Sequence, residues 1–297
     1  MLRKYPIRMR EFVSILSRSV KSNFLNVFIL FAVFPFFQTV HAAELKFHPD
    51  FKVGLNGRTY PIGAQIAVLP GVSHLLWGDS NDWKYGYVRL GLNLYTSAVV
   101  NRAGLEFQFF PISILGVSAG YDSGVRNFVP KWLNCGEYAC TGRVDRKYVR
   151  LNLFGAVKKV SFSISAKFEE LKGFQSVDKP LFDEMSLLAV KMSGENTLTY
   201  SPAVLYRLDD QTQVGFASLY SRSLTTPGFS HLYGPVVNWN PEPKLNALIG
   251  FGLNSGPVAH SALCGFFQLT YNVQPSIAVT DLAYRKSIQG VSESQDQ

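Results

Sequence analysis

The chain has 297 residues, of which 47% are hydrophobic, 17% charged and 14% aromatic, with a formal net charge of +8. The charged fraction is below the roughly 25% of an average soluble domain, and 23 Phe, 14 Tyr and 24 Gly suit a protein with a large lipid-facing surface. The net charge does not mark a nucleic-acid binder, because Arg3, Lys4, Arg8, Arg10, Arg18 and Lys21 supply most of it near the start of the chain.

Behind that basic start lies an apolar run from Phe24 to Phe37, interrupted by Asn26 and Pro35, and then Val40-His41-Ala42. A basic n-region, an apolar h-region and small residues at the cleavage positions predict a secretory signal peptide over 1–42, cleaved after Ala42, with Met9 as an alternative start. As an uncleaved anchor the run falls short of the roughly 20 apolar residues that a spanning helix needs.

Downstream, the pattern changes to period two. Residues 59–68 open the series, and 84–97 (KYGYVRLGLNLYTS) sets Leu90, Leu92 and Leu94 against Arg89, Gly91 and Asn93. Successive side chains of a strand point to opposite faces, so such a segment has one oily and one polar face. In 102–110, Leu105, Phe107 and Phe109 alternate with Glu106 and Gln108; in 112–122, Leu115, Val117 and Tyr121 alternate with Gly116, Ser118 and Asp122. Between this segment and the next, Cys135 and Cys140 bracket a polar, turn-like stretch. Their spacing predicts a small disulfide-closed loop in an oxidising compartment, since a lone C-x4-C without a nearby His has too few ligands for a metal.

The alternation continues through 146–155, where Arg150 and Asn152 oppose Val149, Leu151 and Leu153. It is cleanest in 160–169, where Ser161, Ser163, Ser165, Lys167 and Glu169 oppose Val160, Phe162, Ile164, Ala166 and Phe168. Further segments follow at 185–193, 198–208, 213–222, 232–239, 244–254 and 261–272, with a last one at 276–284. Cys264 reads as a small buried or lumen-facing side chain. Long connections are expected at 123–145 and 170–183, and tight turns at Pro111, Val157-Lys158-Lys159 and Gly194-Glu195-Asn196. The 70–83 stretch does not fit this parity.

A soluble sandwich would carry a charge-rich wet face, whereas here the polar face is mostly Ser, Gly, Asn and Gln. Tyr85, Tyr87, Tyr95, Tyr148, Tyr200, Trp239, Tyr271 and Tyr284 recur near strand ends as girdles would. The chain resembles the bacterial outer-membrane β-barrel class over roughly 59–284. The recurring segments give about 12 strands, within a range of roughly 10–14, and the resemblance implies a closed antiparallel transmembrane β-barrel, a Gram-negative outer-membrane location, outer-membrane lipid around the wall and delivery by the outer-membrane assembly machinery. On this reading 43–58 is a periplasmic segment ahead of the barrel and 285–297 a polar tail, a departure from the usual terminal aromatic.

The polar face would then line a lumen with Arg89, Arg150, Lys167, Lys191 and Arg207 against Glu106, Asp122 and Glu169. In an open lumen that mild cationic excess favours passage of small solutes, anions above others; the alternative is a structural barrel whose inward charges pair with each other and fill the interior. Lipid hydrolysis is the rival, requiring a Ser within reach of a His on the outward face. No His-x-Ser occurs on one strand. Pairing across strands is the remaining route, with His231 and His260 the first histidines to examine, although both read as polar loop residues. A third reading has the 123–145 loop binding a surface partner through Trp132, Tyr138 and Arg143. No cofactor or metal motif is present in the sequence.

Overall fold

The computed structural model describes residues 47–274, except 61, 81–83, 98, 127–128, 130–133, 175–178, 184, 187, 192 and 257–260, together with residue 277. Twelve strands close into one antiparallel barrel. In chain order the wall begins with β1 (Phe47–Thr59), β2 (Ile62–Gly78), β3 (Tyr85–Thr96), β4 (Val100–Ile112), β5 (Leu115–Arg126), β6 (Gly142–Val157) and β7 (Val160–Gly173). Two short strands, β8 (Leu181–Asp183) and β9 (Leu188–Val190), pair with each other as a hairpin outside the wall, and Leu181 also bridges Ala139. The wall resumes with β10 (Glu195–Arg207), β11 (Thr212–Ser223), β12 (Phe229–Glu242), β13 (Leu245–Ser255) and β14 (Ala262–Gln274). β10 follows β7 directly in the sheet, and β14 pairs with β1 to close it.

Closure is what a hydrocarbon environment demands, since lipid offers no partner to an unpaired strand edge. Even a 12-residue strand such as β3, at roughly 3.3 Å per residue and tilted by about 45°, crosses ~28 Å, enough for an apolar band of about 25 Å. Leu90, Leu92, Leu94, Leu105, Leu151, Val204, Phe216, Ile249 and Phe251 are exposed on the outer face, while Arg89, Arg102, Glu106, Asp122 and Arg146 are buried within. The barrel is thus apolar outside and polar inside, as a transmembrane barrel must be.

The two ends differ. One, the turn end, carries 79–84, 113–114, 158–159, 208–211 and 243–244, together with the start of β1 and the end of β14. The other, the loop end, carries the longer connections 127–141 and 174–194 along with 97–99, 224–228 and 256–261. The reversal at 158–159 is so tight that Lys158 adopts φ 53°, a left-handed conformation that a β-carbon disfavours.

The barrel class and the strand number agree with the sequence reading, but three segments differ. Residues 47–58, expected to precede the barrel, form most of β1. Alternation there is blurred because Gly54 and Gly57 interrupt it and Pro49 stands early in the strand. Residues 70–78 belong to β2, which runs to 17 residues, so the 70–83 stretch is strand first and connection only at its end. The segment 185–193 is not part of the wall. It contains β9, and with it Gly194 is no turn between wall strands. Of the expected 276–284 strand only Ile277 is described, and the signal-peptide segment lies outside the described residues.

Candidate functional site

Inward side chains on β1–β7 form linked ion pairs. Arg89 on β3 donates to both carboxylate oxygens of Asp50 on β1, with Nε at 3.1 and 2.9 Å and Nη2 at 2.6 Å. Ser73 on β2 adds a 3.3 Å bond to the same carboxylate. The intervening residue Gly71 makes this possible, because a β-carbon there would strike the Arg89 guanidinium. Further along, Glu106 accepts from Tyr148 at 2.6 Å and from Gln108 at 2.6 Å, with Arg150 3.8 Å away. Gly120, opposite Tyr148 in register, leaves room for its ring. Arg102 and Arg146 each lie 3.7 Å from Asp122, and Lys167 lies 3.0 Å from Glu169.

The loop-end connection 174–194 folds against this network. Arg146 pairs with Asp183 at the end of β8, and Asp183 also accepts from Ser186 N–H at 2.8 Å and its hydroxyl at 2.7 Å. Burial alone would push the Asp183 carboxyl up, but the Arg146 guanidinium and the two Ser186 donors hold it down at about 2. Arg126 donates to the carbonyl of Phe182 and, at 3.1 Å, to that of Ala139; Arg102 reaches the Met185 sulfur. Leu181, Leu188 and Val190 pack with Ala139, Val144 and Leu171 in a small apolar core. The disulfide Cys135–Cys140 is formed, and its loop is tied to the same connection by the Lys179 ammonium donating to the Cys135 carbonyl at 2.9 Å and the Ala139 N–H donating to the Pro180 carbonyl at 2.8 Å.

The opposite half of the lumen is different in kind. Between Glu195 at the loop end and Arg207 at the turn end, inward residues on β10–β14 are uncharged: Thr197, Thr199, Ser201, Ala203, Ala217, Asn246 and Gln268 are representative. Several keep contact with water, and Gln268 is exposed although it points inward. At the turn end, Tyr85, Tyr87, Phe110 and Phe154 stack in series with centroid spacings of 5.8, 4.8 and 6.3 Å. The chain beyond β14 comes back to this cluster, where Ile277 is buried and its carbonyl accepts from Tyr85 at 2.7 Å.

Of the residues assigned from sequence to the lumen, Arg89, Arg150, Lys167, Arg207, Glu106, Asp122 and Glu169 occupy inward wall positions. Lys191 does not; it lies in the 174–194 connection, one residue past β9. Sequence reasoning missed Asp50, Arg102, Arg126, Arg146, Asp183 and Glu195. For Arg102, Arg126 and Arg146 the signal was available, since each has the parity of an inward neighbour two or four residues away. Tyr85, Tyr87, Tyr95 and Tyr148 are not girdle residues as expected. They share parity with Arg89, Asn93 and Arg150 and point inward, Tyr95 beneath the Arg102 guanidinium at 4.2 Å. Tyr200, Trp239 and Tyr271 do face out, while Tyr284 lies outside the described residues. In the 123–145 stretch, Arg143 stands on the outer wall at the loop end and Tyr138 packs edge-on against Phe182 at 6.2 Å; Trp132 lies outside the described residues. His231 is a strand residue on the outer face of β12, not a loop histidine, and His260 is outside the described residues.

Several solved structures are similar in fold. They include the KdgM porin (TM-score 0.41, 8% identity, covering 75% of this chain and 98% of that one) and the NanC porin (0.41, 12%, 75% and 98%). The β domain of the Bordetella autotransporter BrkA is another (0.39, 10%, 76% and 99%). All are barrels, and the likeness extends to architecture alone. No protein-family model and no curated protein matches the sequence.

Proposed function

We propose that this barrel resides in a bacterial outer membrane, loop end outward, and passes small polar solutes, anions preferentially, through a narrow lumen. Its insertion would follow the route of other exported barrels, through the assembly machinery of that membrane. One observation carries the reading: the lumen cations differ in their freedom. The Arg89 side chain is 5% exposed and locked to Asp50, whereas Arg150 retains 34% and Lys167 retains 13%. These two face the uncharged, water-contacting wall of β10–β14. A column of water between them and Ser201, Asn246 and Gln268 would feel mainly positive charge, and rings of Arg or Lys bias pores towards anions. The hairpin β8–β9 is held to the charged side by Arg126 and Arg146 and approaches β11 on the neutral side, narrowing the lumen between them.

Recording from the folded protein in a planar bilayer tests this. Small stable steps are expected, with a reversal potential of anionic sign under a salt gradient. Complete silence from a barrel that shows heat-modifiable mobility would contradict it.

A further inference from the structure

Two polar side chains meet on the lipid-facing surface. Ser218 of β11 and His231 of β12 both point outward, and Ser218 Oγ lies 2.9 Å from His231 Nε2. They are on adjacent strands and offset diagonally, since Ser218 is registered with Tyr233 and His231 with Tyr220. Their surroundings are apolar or aromatic: Phe216 and Tyr220 flank Ser218 on β11, and Tyr233 and Pro235 follow His231 on β12. The His231 ring is held between Tyr233, at 4.5 Å, and Tyr220, edge-on at 5.6 Å. Polar groups on the lipid face of a barrel strand cost stability in proportion to their depth. A packing role for this position would be met more cheaply by a leucine.

The depth is informative. His231 lies two residues from the loop-end start of β12, level with Tyr220. Tyrosines occupy the boundary between headgroups and acyl chains. Ser218 sits one outward position deeper than Tyr220, just to the acyl-chain side of that boundary.

We propose that Ser218 and His231 form a nucleophile–base pair that hydrolyses acyl esters of membrane lipids. Ser218 Oγ attacks the ester carbonyl carbon as His231 Nε2 takes its proton. The tetrahedral adduct collapses with cleavage of the carbonyl–alkoxide bond, and His231 returns the proton to the departing lysolipid. Water, deprotonated by the same imidazole, then cleaves the acyl–Ser218 ester, releasing a fatty acid and restoring the hydroxyl. A nucleophile within hydrogen-bond reach of its base is the geometry this chemistry needs. The substrate would approach laterally from the leaflet, independently of the lumen.

The test uses the full-length folded barrel in vesicles of phosphatidylethanolamine carrying a labelled acyl chain, with a fluorophosphonate as a covalent probe. The expected result is fatty-acid release and a single adduct on Ser218. Ser218→Ala should abolish both. His231→Asn, with heat-modifiable mobility unchanged, should lower them by about 100-fold or more, the usual contribution of a positioned general base. Absence of release and of adduct from the wild-type barrel in its native mobility, or undiminished release by Ser218→Ala, overturns the proposal.

Discussion

On the half of the wall built by β1–β7, inward positions carry arginines and carboxylates that cross neighbouring strands to meet. On the half built by β10–β14 the same inward parity carries Ser, Thr, Ala, Asn and Gln interspersed with Leu205, Leu219, Leu232, Val236, Leu248 and Phe266, with charges only at the two ends. Both halves obey one alternation rule, yet they do different work. The charged half is a scaffold: Arg102, Arg126 and Arg146 are committed to Asp122, Asp183, Met185 and backbone carbonyls, and what they hold is the β8–β9 hairpin. The neutral half comes close to the hairpin at β11, and Ser201, Asn246 and Gln268 on it keep contact with water. A buried charge must be paired to be tolerated, and pairing consumes the space and freedom a passage needs.

The largest expected effect comes from breaking the latch. Arg146→Ala leaves the fully buried Asp183 without its cation, a loss on the order of 3–5 kcal/mol. Proteolysis between residues 174 and 194 should become rapid in the folded barrel and its conductance should rise; unchanged cleavage would mean the hairpin is held by its apolar contacts alone. Next comes Gly120→Val, which pushes a side chain into the Tyr148 ring and disturbs its bond to Glu106. Overpacking of this kind costs about 1–3 kcal/mol, and a urea transition of the variant indistinguishable from wild type would show that the ring has room to move.

Acid should loosen the same hairpin without mutation. Asp183 has a carboxyl pKa depressed to about 2 by Arg146 and Ser186, despite its burial. Its contribution is therefore complete above the ordinary aspartate range of about 4 and is lost as pH falls through about 2. Protease sensitivity of 174–194, assayed after brief exposure across that window and return to neutral pH with the cut trapped by quenching, should rise only below about pH 4. Arg146→Ala should flatten the dependence. The smallest effect belongs to the neutral half: Gln268→Ala should stay within about 0.5 kcal/mol in stability and leave ion preference unaltered. A shift in reversal potential from this substitution alone would show that selectivity does not reside in Arg150 and Lys167.

The fold was legible because period two survives in nearly every wall strand, and Leu90, Leu92 and Leu94 opposite Arg89 and Asn93 already imply a barrel with lipid outside. The same parity would have turned Tyr85, Tyr87 and Tyr95 inward, had it been applied in place of the looser association of tyrosine with girdles. β1 was hidden because Pro49, Gly54 and Gly57 dilute its pattern, and its partner Asp50 was lost with it. The hairpin was not readable at all. Leu188, Ala189 and Val190 are apolar enough for a strand, and nothing local says that their burial comes from Ala139, Val144 and Leu171 inside the barrel and not from a place in its wall. The Ser218–His231 pair was equally remote. A search along one strand sees His-x-Ser, whereas these residues are 13 apart and meet only through the register of β11 with β12.

Reversal potential under a salt gradient, compared between the wild-type barrel and Arg150→Glu/Lys167→Glu, tests the division of the lumen most directly. The account predicts anion preference for the wild type and a change of sign to cation preference for the double variant, read on barrels whose heat-modifiable mobility shows that they fold although Glu106 and Glu169 lose their cations. An unaltered reversal potential in the double variant, or a wild-type barrel that never conducts, would contradict it.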